Sequence, residues 1–176
     1  MKKTTYIILF ILIAFNLNIS SQCKINNTHF QAGEELTYDL YFKYGLINTK
    51  AGTSTLKTVS EKYNNIDAYK MTLLAQSSGS ARKIFSLNDT LSSYMTKDLV
   101  PLAFNKNAKE GKEYTVEKVT YNYTGQKVSI HTKRTKNGEF KFDETLSASS
   151  CIYDMVSVVF YARTLNYSSM KKGDTS

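Results

Sequence analysis

The sequence predicts a mainly β protein of short antiparallel strands with one helix near the C-terminal end. The chain has 176 residues with 13 Tyr and 9 Phe but a single Pro, and aromatic side chains suit half-buried pleated surfaces. Runs of alternating apolar and polar residues recur between turn residues, which is the pattern of strands in a meander. Only after Ser150 do apolar residues recur at helical spacing.

The clearest strand prediction covers residues 34–44. Its apolar side chains alternate with mostly polar ones: Leu36, Tyr38, Leu40, Phe42 and Tyr44. Because successive strand side chains point to opposite faces, we expect the first four of these residues, from Leu36 to Phe42, to share one buried face. Its aromatic members, together with Tyr69 of a later strand, would line either a ligand site or the core: Tyr38, Phe42, Tyr44 and Tyr69.

The later strands are predicted from the same two signals, the alternation of apolar and polar residues and the turn residues between the runs. Strands are predicted at residues 47–59, 68–77, 90–95, 100–105, 113–123, 127–136 and 139–145. Asn64-Asn65 and Asn137-Gly138 are predicted hairpin tips, since both residues of such turns must tolerate positive φ. Pro101 indicates an edge strand or a break, because Pro has no amide donor. Residues 80–87 are ambiguous and include a candidate helical turn.

The predicted helix covers residues 151–165, with Ser149 or Ser150 as the cap. Apolar residues recur along it at helical spacing: Ile152, Met155, Val156, Val159 and Ala162. Val158 and Phe160 lie off this stripe, so we expect the helix to be buried against a sheet.

The first 21 residues have the order of a secretory signal peptide. Lys2 and Lys3 precede an apolar run at residues 6–15, and Ser20 and Ser21 follow it. We predict cleavage between Ser21 and Gln22, which leaves residues 22–176 as a single β-rich domain in the periplasm or cell envelope. The apolar run is shorter than the roughly 20 residues of a membrane span, so the mature chain is expected to have none. An uncleaved anchor and lipidation of Cys23 are the alternatives, and Gln22 before the cysteine disfavours lipidation.

The positive charge does not predict a nucleic-acid partner. The net charge is +8, but the basic residues are spread along the whole chain. The densest cluster is Lys133, Arg134 and Lys136 beside the predicted turn at residues 137–138, and we interpret it as a solvated hairpin tip.

The sequence contains no recognisable catalytic, cofactor-binding or metal-binding pattern. His29 and His131 are far apart and lack clustered ligands, and no glycine-rich phosphate loop or nucleophile elbow is present. Glu34 and Glu35 are adjacent, and neighbouring strand side chains face opposite sides. We therefore expect a protein that is not an enzyme and carries no cofactor.

Cys23 and Cys151 are candidates for a disulfide, because an exported protein meets an oxidising compartment. A cysteine outside this sequence could pair with either of them instead.

Three stretches resemble a known family of exported bacterial proteins of unknown function, DUF3108. They are CKINNTHFQAGEELTYDLYFKYGLINTKAGTSTL at residues 23–56, DTLSSYMTKDLVPLAFNKNAKEGKEY at 89–114 and CIYDMVSVVFYARTLNYSSMKKGD at 151–174. The resemblance implies an antiparallel, strongly curved sheet or partial β-barrel with one C-terminal helix packed against it. It also implies a cell-envelope location, no assigned activity and no functional residues to transfer. Family members continue for several more strands, so the chain is expected to be truncated at its C-terminus.

The leading functional hypothesis is non-enzymatic binding of a small apolar or amphipathic ligand, or of an envelope partner. The alternatives are an assembly or structural factor of the envelope, and a glycan or cell-wall enzyme with catalytic residues outside this chain. An apolar pocket would favour the first, an exposed flat edge strand the second, and a pocket with clustered acids the third.

Overall fold

A computed structural model describes residues 23–173 of the chain. The predicted signal peptide and its cleavage site at Ser21 and Gln22 lie outside the described residues. Within them, the elements are β1 (Glu35–Tyr44), β2 (Ile47–Tyr63), β3 (Ile66–Ser77), α1 (Ala81–Ile84), β4 (Leu87–Thr96), β5 (Pro101–Glu110), β6 (Glu113–Thr124), β7 (Lys127–Lys136), β8 (Glu139–Ala148), α2 (Ser157–Arg163) and a 3₁₀ turn (Tyr167–Ser169).

The eight strands form one antiparallel sheet in which each strand pairs with its neighbours in sequence. The sheet is open, with β1 and β8 at its two edges. Register shifts interrupt the pairings β1–β2, β4–β5 and β7–β8, and such bulges bend strands and increase their twist. The predicted mainly β, antiparallel and curved fold is confirmed, and the sheet does not close into a barrel.

The turn chemistry is as the sequence predicts. Asn64 and Asn65 have φ of 47° and 66°, and Asn137 and Gly138 have φ of 53° and 82°. Both pairs therefore occupy the left-handed region that tight hairpins require. Pro101 is the first residue of β5 and lies at the register shift, so its missing amide marks a break in the ladder.

The core lies between the sheet, the segment before β1, and α2. Its buried side chains come from the middle strands, the N-terminal segment and the helix: Phe30, Leu56, Met71, Leu91, Met95, Leu99, Phe104, Val119, Tyr121, Val128, Val156 and Phe160. Arg163 of α2 donates to both carboxylate oxygens of Glu34, at 2.6 and 2.8 Å. This hydrogen-bonded pair holds the pKa of Glu34 below its usual value and fixes the helix to the start of β1.

The prediction that the apolar side chains of β1 share a buried face is wrong for most of the strand. Leu36 packs half-buried against the core, but Tyr38, Leu40 and Phe42 are 49%, 38% and 54% exposed. The reason is position: β1 is an edge strand, and the layer built by the N-terminal segment and α2 covers only its beginning. The side chain of Tyr44 is outside what the structure describes.

The helix is shorter than predicted, and the face that it buries differs from the predicted one. Asp154 caps it, because its Oδ1 accepts hydrogen bonds from the amides of Val156 and Ser157, both at 2.9 Å. Ser157 Oγ accepts in return from the amide of Asp154 at 2.7 Å, which completes a reciprocal capping box. The turn at residues 155–156 that leads into the helix therefore starts at Asp154, and the helix itself begins at Ser157 and not at residue 151, so neither Ser149 nor Ser150 is its cap.

The buried face of α2 differs accordingly from the predicted one. Val156 and Phe160 are fully buried, while Met155 and Val159 are 60% and 37% exposed. The turn after Asp154 continues the helical spacing, with the Phe160 amide donating to the Val156 carbonyl, and so places Val156, Phe160 and Arg163 on one face at i, i+4 and i+7. This is the face that meets the sheet and Glu34. No helix in residues 23–173 is long and apolar enough to span a membrane.

Candidate functional site

The most distinctive concave feature is an apolar recess at the end of the sheet where β1 turns into β2. Its volume is about 310 Å³. The hairpin β1–β2 forms one side and α1 with its flanking residues forms the other: Leu40, Phe42, Thr49, Ala51, Gly52, Gln76, Ser77, Ser80, Ala81, Ile84, Phe85 and Leu87.

The recess exists because β1 and β2 extend beyond β3. Ser77, the last residue of β3, pairs with Gly52, whereas the β1–β2 ladder continues to Tyr44 and Ile47. The chain then leaves the sheet, with the Ser78 amide donating to the Ala51 carbonyl at 2.9 Å, and turns into α1. The projecting hairpin and α1 consequently face each other across a gap that no strand fills.

Gly52 permits the close approach at the floor of this recess. A Cβ at this position would lie 2.1 Å from the carbonyl oxygen of Gln76, a backbone atom that cannot move without shifting β3. Any other residue would force β2 and β3 apart at the point where the recess begins.

The walls of the recess are almost wholly carbon. α1 presents Ala81 and Ile84, which lie on one face at i and i+3, and Phe85, which follows the helix in an extended conformation, completes this wall. Ile84 is 90% exposed and Phe85 55% exposed, so large apolar side chains stand in solvent with nothing covering them. A recess of this composition favours a ligand that buries apolar surface.

A second cleft, of about 320 Å³, lies between β5–β7 and the segment leading into α2. Its lining is mixed, with apolar side chains beside Glu117, Arg134 and Asp154, and we call it the polar cleft after these three residues. Arg134 donates through Nε to Glu117 Oε2 at 2.7 Å, and the Glu117 side chain is only 15% exposed. Asp154 accepts from Ser93 Oγ at 2.8 Å in addition to its capping bonds. Burial raises the pKa of Asp154 above its usual value, although these donors oppose the shift. Both acids of this cleft are therefore already committed to partners within the fold.

Two tyrosines of β6, Tyr121 and Tyr123, pack against the core beside this cleft. Burial raises the pKa of Tyr123 to about 12 and that of Tyr121 further still. Both phenols stay protonated over the ordinary pH range, and they contribute to packing against the core.

The aromatic residues singled out from the sequence do not form one surface. Phe42 lines the recess. Tyr69 packs against the core, with its ring 5.8 Å from that of Phe30. Tyr38 is exposed on the edge strand between these two regions.

The wall of the recess that contains Ala81, Ile84 and Phe85 was not predicted from the sequence. The one sequence signal for this wall is the apolar pair Ile84-Phe85, directly after Arg82 and Lys83 in a segment with no strand alternation.

The structure joins Cys23 to Cys151 by a disulfide, with 5.4 Å between their Cα atoms. It closes a loop between residues 128 positions apart in sequence and ties the N-terminal segment to the start of the helical region. The neighbouring acids Glu34 and Glu35 have separate partners, Arg163 and Lys57. Among residues 23–173, no three or more His, Cys, Asp or Glu side chains are grouped to hold a metal ion.

Comparison with known proteins places the chain in a family without an assigned activity. No curated protein and no solved structure matches it. The family model described as "Protein of unknown function (DUF3108)" matches residues 37–176, which is most of the chain. The match begins inside β1 and includes both walls of the recess, the polar cleft and the helix. The chain therefore belongs to the DUF3108 family.

Proposed function

We propose that this protein is an exported, non-enzymatic binding protein of the cell envelope that holds a small apolar or amphipathic molecule in the recess. The observation that carries the proposal is the recess itself, where Phe42, Ile84 and Phe85 surround a concave space and remain half or more exposed. Its volume of about 310 Å³ lies at the lower end of the range for small-molecule sites, roughly 300–1,000 Å³.

The energetics favour an apolar occupant. Each 100 Å² of apolar surface removed from water is worth roughly 2.5 kcal/mol before the entropic costs of binding are subtracted. Phe42, Ile84 and Phe85 each leave apolar surface in water in the protein alone. A ligand that covers them gains this free energy without displacing any polar partner.

Two features support export. The first 21 residues have the order of a signal peptide. The Cys23–Cys151 disulfide is a bond that forms and persists in oxidising compartments such as the periplasm.

The polar cleft supports a non-enzymatic role. A hydrolytic pair of acids would need one carboxyl group free to give a proton and the other free to accept one or attack. Glu117 is held by Arg134, and Asp154 caps α2 while accepting from Ser93. Releasing either acid would break the contacts that order this part of the fold.

Filling the recess should weaken the binding of an apolar probe. We expect Ala81→Trp to reduce the affinity for Nile red at least tenfold, because the indole would occupy the space between α1 and the hairpin. Lys83→Trp is the matched control, since Lys83 is on the same helical turn, exposed, and not part of the recess wall. Fluorescence titration of the purified full chain measures both variants, with thermal melting to confirm that each is folded.

If the protein binds Nile red equally well with either tryptophan, the probe sits elsewhere and the recess is not the site. If the wild-type protein does not bind the probe at all, the proposed binding function fails.

A further inference from the structure

The end of the molecule that carries the recess also exposes apolar residues that no ligand in the recess would cover. Leu46, in the turn between β1 and β2, is completely exposed at 106% and does not line the recess. Ile84 lines it but is still 90% exposed. Together with Phe42 they form what we call the apolar tip, defined by Leu46, Ile84 and Phe42. Phe42 and Ile84 line the same recess, Leu46 is in the turn at the end of the same hairpin, and contiguous exposed apolar patches mark interaction sites.

Three exposed basic residues are sequence neighbours of the apolar tip residues and lack acidic partners among residues 23–173. Arg82 and Lys83 are on α1 with Ile84, and Lys43 follows Phe42 in β1, where it points to the opposite face of the strand. All three side chains are exposed, and none forms an ion pair within residues 23–173. The acid nearest to them along the hairpin, Asp39, is already paired with Lys50 at 2.7 Å. This end of the molecule therefore combines exposed apolar side chains with uncompensated positive charge.

The arrangement on α1 follows from one turn of helix. At 100° per residue, Ala81 and Ile84 fall on one side while Arg82 and Lys83 fall on the other, and Phe85 follows the helix in an extended conformation. The long stems of Arg and Lys let their charged ends reach past neighbouring apolar surface to a more polar layer. This division of apolar and basic faces is the one that proteins use to lie at a membrane interface.

We propose that the apolar tip docks on the surface of an anionic lipid bilayer. Leu46 and Ile84 enter the boundary between headgroups and acyl chains, and Arg82, Lys83 and Lys43 contact the anionic headgroups. The mouth of the recess then opens against the bilayer, so an amphipathic ligand can pass between the two without crossing water. This goes beyond the proposed function, because binding a ligand does not require contact with a membrane.

Charge complementarity favours a bilayer over a second copy of the chain. A symmetric dimer through the tip would place the three unpaired cations of one copy against those of the other. An anionic bilayer instead compensates them, and attraction of basic residues to such a surface falls off within a Debye length. Docking should therefore weaken as salt is added.

The test is sedimentation of the full-length protein with vesicles of phosphatidylcholine alone or mixed with phosphatidylglycerol. We expect binding to the mixed vesicles and at least tenfold weaker binding to phosphatidylcholine alone. Leu46→Ser should weaken binding to the mixed vesicles several-fold, and Arg82→Gln with Lys83→Gln should do so by about thirtyfold. The matched apolar controls are Ile66→Ser and Leu146→Ser, at 46% and 58% exposed side chains away from the tip. The matched charge control is Lys118→Gln with Lys127→Gln.

The outcomes separate this proposal from the binding function. Leu46→Ser should keep full Nile red affinity in the absence of vesicles, because Leu46 is not part of the recess wall. Wild-type protein that binds Nile red but does not sediment with phosphatidylglycerol vesicles overturns docking and leaves ligand binding intact. Protein that sediments but takes up no probe supports docking and removes the binding function. Equal weakening by the tip variants and their controls also overturns docking.

Discussion

Replacing both cysteines with serine is expected to lower the free energy of unfolding by about 4–5 kcal/mol. Cys23 and Cys151 are 128 positions apart, and a cross-link that closes so long a loop removes much of the entropy of the unfolded chain. The bond also anchors the segment that carries Phe30 into the core. Urea unfolding of the wild-type and Cys23→Ser/Cys151→Ser proteins measures the difference.

Reductant provides the matched control for this prediction. Adding it should lower the unfolding midpoint of the wild-type protein to near that of the double variant and should leave the double variant unchanged. A wild-type midpoint that does not respond to full reduction would show that the cross-link contributes little to stability.

Phe160→Ala is expected to cost about 3–5 kcal/mol, the range for truncating a buried aromatic side chain. Phe160 is completely buried, with its ring 5.0 Å from that of Phe30 in an edge-to-face contact. Losing it leaves a cavity between α2, the N-terminal segment and the sheet. The change is read from the free energy of unfolding in urea.

Val158→Ala is the control on the same helix, because Val158 is 46% exposed. It should cost less than about 1 kcal/mol, in line with other surface substitutions. Similar losses at positions 158 and 160 would mean that the buried face of α2 is assigned incorrectly.

The strands and turns could be predicted because their signals are local. Asn137-Gly138 and Asn64-Asn65 fix hairpins through the backbone conformations they tolerate, and alternation marks the strands between them. Burial could not be predicted in the same way. The alternation in β1 is as regular as in any strand, but whether Leu40 and Phe42 are covered depends on β1 being an edge strand, which is a property of the whole sheet.

Most of the candidate site, apart from Phe42, could not be predicted from the sequence for a similar reason. Its two walls come from the β1–β2 hairpin and from α1, a helix of four residues that is too short to show a periodicity. What brings them together is the early end of β3 at Ser77, and that depends on pairing and not on residue type. The start of α2 was misplaced because the serines at 149 and 150 and the aspartate at 154 are all good caps, and only the hydrogen bonds of Asp154 decide between them.

Native mass spectrometry tests the central claim, that the recess holds an apolar molecule in the cell, most directly. The wild-type, Ala81→Trp and Lys83→Trp proteins would be purified in full and without detergent from the cells that make them. We predict a bound small molecule on the wild-type and Lys83→Trp proteins that is absent from Ala81→Trp. The same adduct on all three proteins, or no adduct on any of them, would contradict the claim.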